Sequence, residues 1–471
     1  MNRILPFKII AFIALFTFIS CSKDSDEPEQ IEKNVLTQDF STTMDENPTN
    51  GQLIGTISGT TNQGTVTFSV IEQSPEDAFS IDSSTGELKV AEASIFNFEI
   101  NPTITGTIKV ANETLFEIAT VTINLNDLEE DRPFQGDVFL RSQSEINDFG
   151  NLGYTRIIGN LNIGNYDYDD IVDLTPLLNL EKIDDYLSIY NCSQLATING
   201  LRNLSHIGSN FLIIANPSLK KIHDLQSLTS IEGTLDISLS LQLTDISGFN
   251  SLESIGNEML IDQIGLANLD DFENLKAIGG NLNISYCANL KNIDGLSNLE
   301  NIGPTLSIIS NDILINLNGF ANLTDTVLEL KVSGNHILQN ISGLQNIDVS
   351  ENISISDNSL LKNIDGLSRI SSLSSVTLLK NNSLKNIDGL SNLNTISNDI
   401  KITRNKSLSN LNALTGLTRV DGLMEISQNL LLRDFCGLQN FMTSGTLGSY
   451  EISDNLFNPT KQDIIDGNCS I

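Results

Sequence analysis

The sequence predicts a mainly β chain in two parts: a β-sandwich over residues 35–131, then a parallel-β solenoid of about thirteen rungs over residues 134–471. Three observations predict it. Apolar residues return at fixed offsets every 22 to 26 residues through the second part, a period of stacked repeats. Within each unit they come two apart and then three apart, neither of which fits the 3.6-residue period of an α-helix. Ahead of the repeats, short runs alternate apolar and polar residues between Gly, Asn and Pro, the pattern of half-buried strands. Trp is absent and aromatics are 6% of the 471 residues. Such a mix suits small side chains recurring in columns.

Residues 1–21 read as an export signal. Arg3 and Lys8 precede an apolar run over 9–19, which is too short to span a bilayer. The run ends in Phe18, Ile19, Ser20 and Cys21, which resembles a lipobox. That resemblance implies diacylation of Cys21, with Cys21 as the mature N-terminus; a plain signal peptide cut nearby is the alternative. More than one acyl chain gives stable anchoring where a single chain does not. Residues 22–34 are a polar, acidic tether. Its start is similar to the acidic export tag of some surface-exposed lipoproteins of Gram-negative bacteria, which implies a lipid-anchored outer-membrane protein at the cell surface. Such a compartment permits disulfides. The net charge of −33 argues against nucleic acid and against electrostatic docking on an anionic membrane, leaving the lipid as the membrane contact.

The sandwich segment holds 16 acidic residues and only Lys89 and Lys109 as bases. Phe79, Ile81, Asp82, Thr85, Gly86 and Leu88 reproduce the F-x-I-D-x-x-T-G-x-I pattern of cadherin repeats, which the segment resembles. Asp45, Glu46 and Asn47 match that family's early acidic motif. Phe96, Phe98 and Glu99 stand at its L-D-x-E, and Asn124 to Asp127 at its terminal D-x-N-D-N. The resemblance implies calcium as a cofactor, held by Glu46, Glu99 and Asp127, since a hard cation gathers six to eight oxygens. Ser58, Gly59 and Thr60 stand where the family has D-x-D.

In the repeats, with Ile400 at offset 0, apolar residues fall at +0, +2, +8, +11, +14, +17 and +20. The matching anchors are Leu161, Leu187, Phe211, Leu235, Met259, Leu282, Leu306, Leu330, Ile353, Val376, Met424 and Tyr450. Offsets +0 and +2 point to one side of a short strand, and the later residues suit extended or 3₁₀-like arcs. One unit cannot bury that side, but a stacked neighbour covers it. The +5 column ends in seven Asn, from Asn311 to Asn455. An inward Asn at a strand end satisfies peptide groups that would each cost ~1–3 kcal/mol if buried unpaired. The +12 column is rich in Asp, Asn and Ser, mostly followed by Gly, and reads as tight turns.

This part resembles leucine-rich repeats, whose Asn column tolerates Cys, as at Cys192 and Cys287. Residues 280–284 and 293–299 give a closer likeness to the receptor L domain, which implies a single-stranded right-handed solenoid. Cys192 and Cys287 lie four rungs apart, roughly 19 Å at ~4.8 Å per rung, too far for a disulfide. Cys436 and Cys469 both lie at the C-terminal end, where a bridge between them would close the last rung.

No catalytic motif appears, and His206, His223 and His336 fall at different offsets without a metal spacing. The outward strand positions, +1 and +3, are mostly small and neutral. A more apolar stretch over Tyr190, Leu212, Ile214 and Leu260 suits a protein or glycan ligand. The sequence therefore predicts a non-enzymatic adhesion or ligand-binding protein. A carbohydrate-active or sugar-capture accessory on the same solenoid, and a purely structural envelope protein, are the alternatives.

Overall fold

The computed structural model describes residues 32–98, 100–128, 131–165 and 170–471. The chain divides into two compact units between residues 129 and 130. No helix among the described residues is long and apolar enough to cross a membrane.

The first unit is a β-sandwich. One sheet orders Phe40–Asp45, Leu115–Asn126, Thr103–Asn112 and Thr67–Ser74; the other orders Leu53–Thr56, Glu87–Val90 and Phe79–Ile81. Val35–Thr37 pairs with Gly59–Thr61. Strand Thr103–Asn112 buries every second residue toward its C-terminal end, and Ile104, Ile108 and Val110 enter a core with Phe68, Phe79, Leu88 and Phe96. After Phe79–Ile81 the chain turns on Asp82, whose Oδ1 accepts from the Ser84 and Thr85 amides at 2.8 and 2.9 Å. The Ser84 hydroxyl, which donates to the same oxygen at 2.7 Å, and after it these amides hold the Asp82 carboxyl well below the usual carboxylate range.

The second unit is a solenoid built on one parallel ladder. Its register pairs Leu161, Leu187, Phe211, Leu235, Met259, Leu282, Leu306, Leu330, Ile353, Val376, Ile400, Met424 and Tyr450 in succession. Every anchor read from the sequence thus sits opposite the next. A further rung precedes them: Val138–Leu140 pairs with Leu161–Ile163. It escapes the sequence pattern because an α-helix, Gln143–Gly150, capped by the Ser142 hydroxyl, follows it where later rungs carry 3₁₀ turns. Two-residue strands form further short parallel ladders away from the main one, Lys182–Ile183 in one sheet and Ser254–Ile255 in another. One continuous apolar column runs between, with Phe249 stacked on Phe272 at 5.7 Å between ring centroids. Each buried Leu or Ile contributes about 1.5–3 kcal/mol.

Five columns of residues hold the coil. The +4 residue lies in the left-handed region in every rung from Leu187 onward, and eleven of these twelve are not glycine, from Asn191 (φ 54°) to Asp454 (φ 56°). Such a conformation costs roughly 1–2 kcal/mol per residue and persists only where its surroundings enforce it. The enforcing group is the next residue. Asn381 Oδ1 accepts from the backbone and side-chain amides of Asn358, each at 3.2 Å; Asn381 Nδ2 donates to the Ile355 carbonyl at 2.9 Å. The same bonds recur from Asn311 to Asn455, and Asn458 ends the ladder by accepting from the Asn455 amide at 3.0 Å.

At +10, Asn292, Asn316, Asn340, Asn363, Asn386 and Asn410 accept from the amide two residues on, which starts each 3₁₀ turn. The sequence pattern assigned the following Gly column to tight-turn chemistry, but the reason is room. Gly319 and Gly343 do not have positive φ; a Cβ on either would stand against the carbonyl of the previous rung, Ile293 or Leu317. A third Asn column, unmarked in the sequence pattern, lies at +16: Asn298, Asn322, Asn346 and Asn392 donate to Glu273, Ser297, Ala321 and Ser368 carbonyls at 2.6–2.8 Å.

Candidate ligand-binding surface

The residues read from the sequence meet different fates in the structure. Cys21 and Glu99 lie outside the described residues. Glu46 is 2% exposed, and its two carboxylate oxygens accept from the Phe98 and Leu128 amides at 2.7 and 2.6 Å. It ties the end of strand Phe40–Asp45 to two later segments. Asp127 is exposed. Of the three residues named for calcium, Glu46 and Asp127 are the two among the described residues. Among the described residues no three His, Cys, Asp or Glu side chains gather at metal-holding spacing.

Cys436 and Cys469 are joined in a disulfide with Cα atoms 4.9 Å apart. Cys192 and Cys287 are buried in the +5 column, outside any disulfide. Cys287 Sγ lies 3.2 Å from the Ser285 carbonyl, and burial pushes its thiol up to about 11. Neither thiol is placed for nucleophilic chemistry.

Tyr190 and Ile214 are register neighbours on the outward face, and Leu212 lies beside them. Leu260 is separated from Leu212 by Asp236, so the four do not make one apolar surface. Asp236 is half-buried, and burial pushes its carboxyl up, aided by the charges of Asp262 and Glu258 and opposed by a hydrogen bond from Ser238.

A better-formed concavity lies at the corner, between the left-handed +4 column and the +6 column. Their side chains flank the buried Asn ladder and are released from the core. On the last five rungs they enclose a groove of about 510 Å³. Asp357, Lys380, Arg404, Gln428 and Asp454 line it from +4, and Ser359, Asn382, Lys406 and Leu430 from +6. Lys380 Nζ lies 3.4 Å from Asp357 Oδ1, and Arg404 Nε donates to Gln428 Oε1 at 2.7 Å. The sequence reading looked for a surface at +1 and +3 and missed this one. The available signal was three bases, Lys380, Arg404 and Lys406, in two adjoining columns of an otherwise acidic chain.

The short parallel strand, the inward Asn after it and the 3₁₀ return of every rung define a leucine-rich repeat solenoid. A family profile described as the BspA-type leucine-rich repeat region matches residues 190–311 and 331–462 in six copies, and the chain belongs to that family. Among solved structures, the chain is similar to protocadherin gamma B2 extracellular cadherin domains 1-5, at 19% identity over 21% of this chain and 20% of that one, TM-score 0.20. It is also similar to the human desmocollin-1 ectodomain, at 21% identity over 21% and 22%, TM-score 0.18. Mouse cadherin-23 EC22-24 matches at 17% identity over 24% and 39%, TM-score 0.19. The chain spans between a fifth and two fifths of those structures, and nothing of their activity transfers to it. No curated protein matches the chain.

Proposed function

We propose that this chain is an exported, lipid-anchored surface protein whose solenoid is a non-enzymatic binding module for a protein or glycan partner. The observation that carries the reading is the corner. The Asn ladder fixes its backbone, while the residues on either side change from rung to rung and build a groove without drawing on the core. Repeat arrays of this family are often surface adhesion or binding proteins. The basic start, short apolar run and Cys21 support export and anchoring. The intact protein on an array of glycans and extracellular-matrix proteins is expected to retain a small set of ligands; an empty array overturns the binding role. Turnover of any glycan by the purified protein overturns the non-enzymatic part. Protease treatment of intact cells is expected to remove the solenoid, and its survival beside cleaved surface controls overturns the exposure.

A further inference from the structure

We propose that the corner groove on the last five rungs binds an acidic glycan, a sugar chain in which a uronic-acid carboxylate recurs among neutral, hydroxyl-bearing rings. The inference rests on the binding-module reading and names the class of ligand.

Charge comes first. Lys380 is already partnered by Asp357. Arg404 spends only Nε on the neutral Gln428, and both Arg404 and Lys406 are exposed with no ion pair among the described residues. Two adjacent uncompensated cations in a chain of net charge −33 form a local minimum for one carboxylate. The rest of the lining argues against a densely charged ligand. Asp357 and Asp454 stand at the two ends of the groove and would repel a polyanion or a run of acidic peptide side chains. With Asn382 and Gln428, however, they offer the mix of acceptors and amide donors that sugar hydroxyls require.

Spacing comes second. Successive rungs of a parallel ladder lie ~4.8 Å apart, about the length of one pyranose ring in an extended chain. A glycan laid along the corner therefore meets one row of side chains per sugar. Its carboxylate lies at the Arg404 and Lys406 rung, and neutral rings lie against the rows before and after.

The test is titration calorimetry on the full chain with three probes whose uronate rings are separated by neutral ones: hyaluronan, gellan and glucuronoxylan oligosaccharides. Each is paired with its carboxyl-reduced form, and a poly-glutamate peptide of similar length is run beside them. At least one uronate glycan is expected to bind, with a loss of tenfold or more on carboxyl reduction. A similar loss is expected in the Arg404→Gln/Lys406→Gln double variant, whereas Arg404→Lys/Lys406→Arg keeps most of the affinity and Lys291→Gln, at an exposed lysine of an earlier rung outside the groove, keeps all of it. Equal binding of the reduced glycan, unchanged binding by the double variant, or tighter binding of poly-glutamate overturns the inference. If the chain binds a neutral glycan or a protein and the double variant binds it equally, the acidic-glycan inference falls while the binding-module reading stands. If the wild-type chain binds nothing in either panel, both fall.

Discussion

The solenoid before Asn311 and the solenoid after it share one core and one left-handed corner, yet they close that corner by different means. After Asn311, each rung uses an Asn whose amide serves three groups at once. Before it, the column reads Cys192, Asn216, Ser240, Ile264 and Cys287. There the thiols approach carbonyls as weak donors, and Ser240 accepts from the Asn216 amide at 3.2 Å. Where Ser240 and Ile264 stand, the strands lengthen to six residues, Leu235–Ser240 and Met259–Ile264, and backbone pairing takes over. The comparison teaches that the corner geometry is the invariant. Side-chain amides are one way of satisfying it, and the rigid way.

Replacing one member in each half is the strongest way to break that comparison. Asn381→Leu leaves the Asn358 amide and the Ile355 carbonyl buried without partners, so a loss of about 3–5 kcal/mol is expected. Ser240→Ala should lose only about 1 kcal/mol, because its rung is held by strand pairing. Urea unfolding monitored by circular dichroism measures both, and equal losses would show that the ladder adds no rigidity of its own.

The second test concerns the closed end of the later half. Reducing the Cys436–Cys469 bridge, whose ends are 33 residues apart in sequence, should cost about 3–4 kcal/mol by loop closure. In a solenoid whose rungs contact mainly their neighbours, hydrogen exchange should then rise first in the rungs nearest Tyr450. Uniform acceleration along the coil would contradict that localisation.

A smaller effect sharpens the corner itself. Leu239 is 44% exposed and sits at φ 54°, so Leu239→Gly relieves a left-handed β-carbon at little loss of packing. A gain of about 0.5–1 kcal/mol is expected from the thermal midpoint. A loss would mean that its exposed side chain is held by contacts of its own.

The smallest effect is a pH dependence. The Asp236 carboxyl is raised in the folded chain, first by burial and then by Asp262 and Glu258, so the folded state holds its proton more tightly than the unfolded one. Its favourable contribution is full below the unfolded Asp value of about 4 and is lost as pH rises through the folded value. Asp236→Asn should therefore raise the unfolding midpoint by about a degree at neutral pH and leave it unchanged in acid. The opposite ordering would place the carboxylate in a favourable charged contact.

How much of this was legible in the sequence depends on which physical signal each feature leaves. The anchors from Leu161 to Tyr450 were readable because burial demands apolar residues at fixed offsets. The Asn ladder was readable because one residue type recurs. The Val138 rung was not, since a helix replaces the repeat after it. The left-handed column was invisible: with Ala215, Leu239, Tyr286 and Arg404 in it, composition gives no hint of positive φ. The Gly column was visible, but its cause was not, because closeness to the previous rung is a three-dimensional fact. The groove was missed for a related reason. Its walls lie beyond the strand, at positions the alternation of a β-strand does not single out.

The run of left-handed corners has one more consequence. From Asn191 to Asp454 the backbone takes almost the same shape twelve times while the residue is in turn Asn, Ala, Leu, Gln, Tyr, Ser, Gly, Asp, Lys, Arg, Gln and Asp. Position is held constant and identity is left open. Such a row works as a ruler on which letters can be rewritten one at a time, so recognition can drift by point substitution while the coil that displays it stays put.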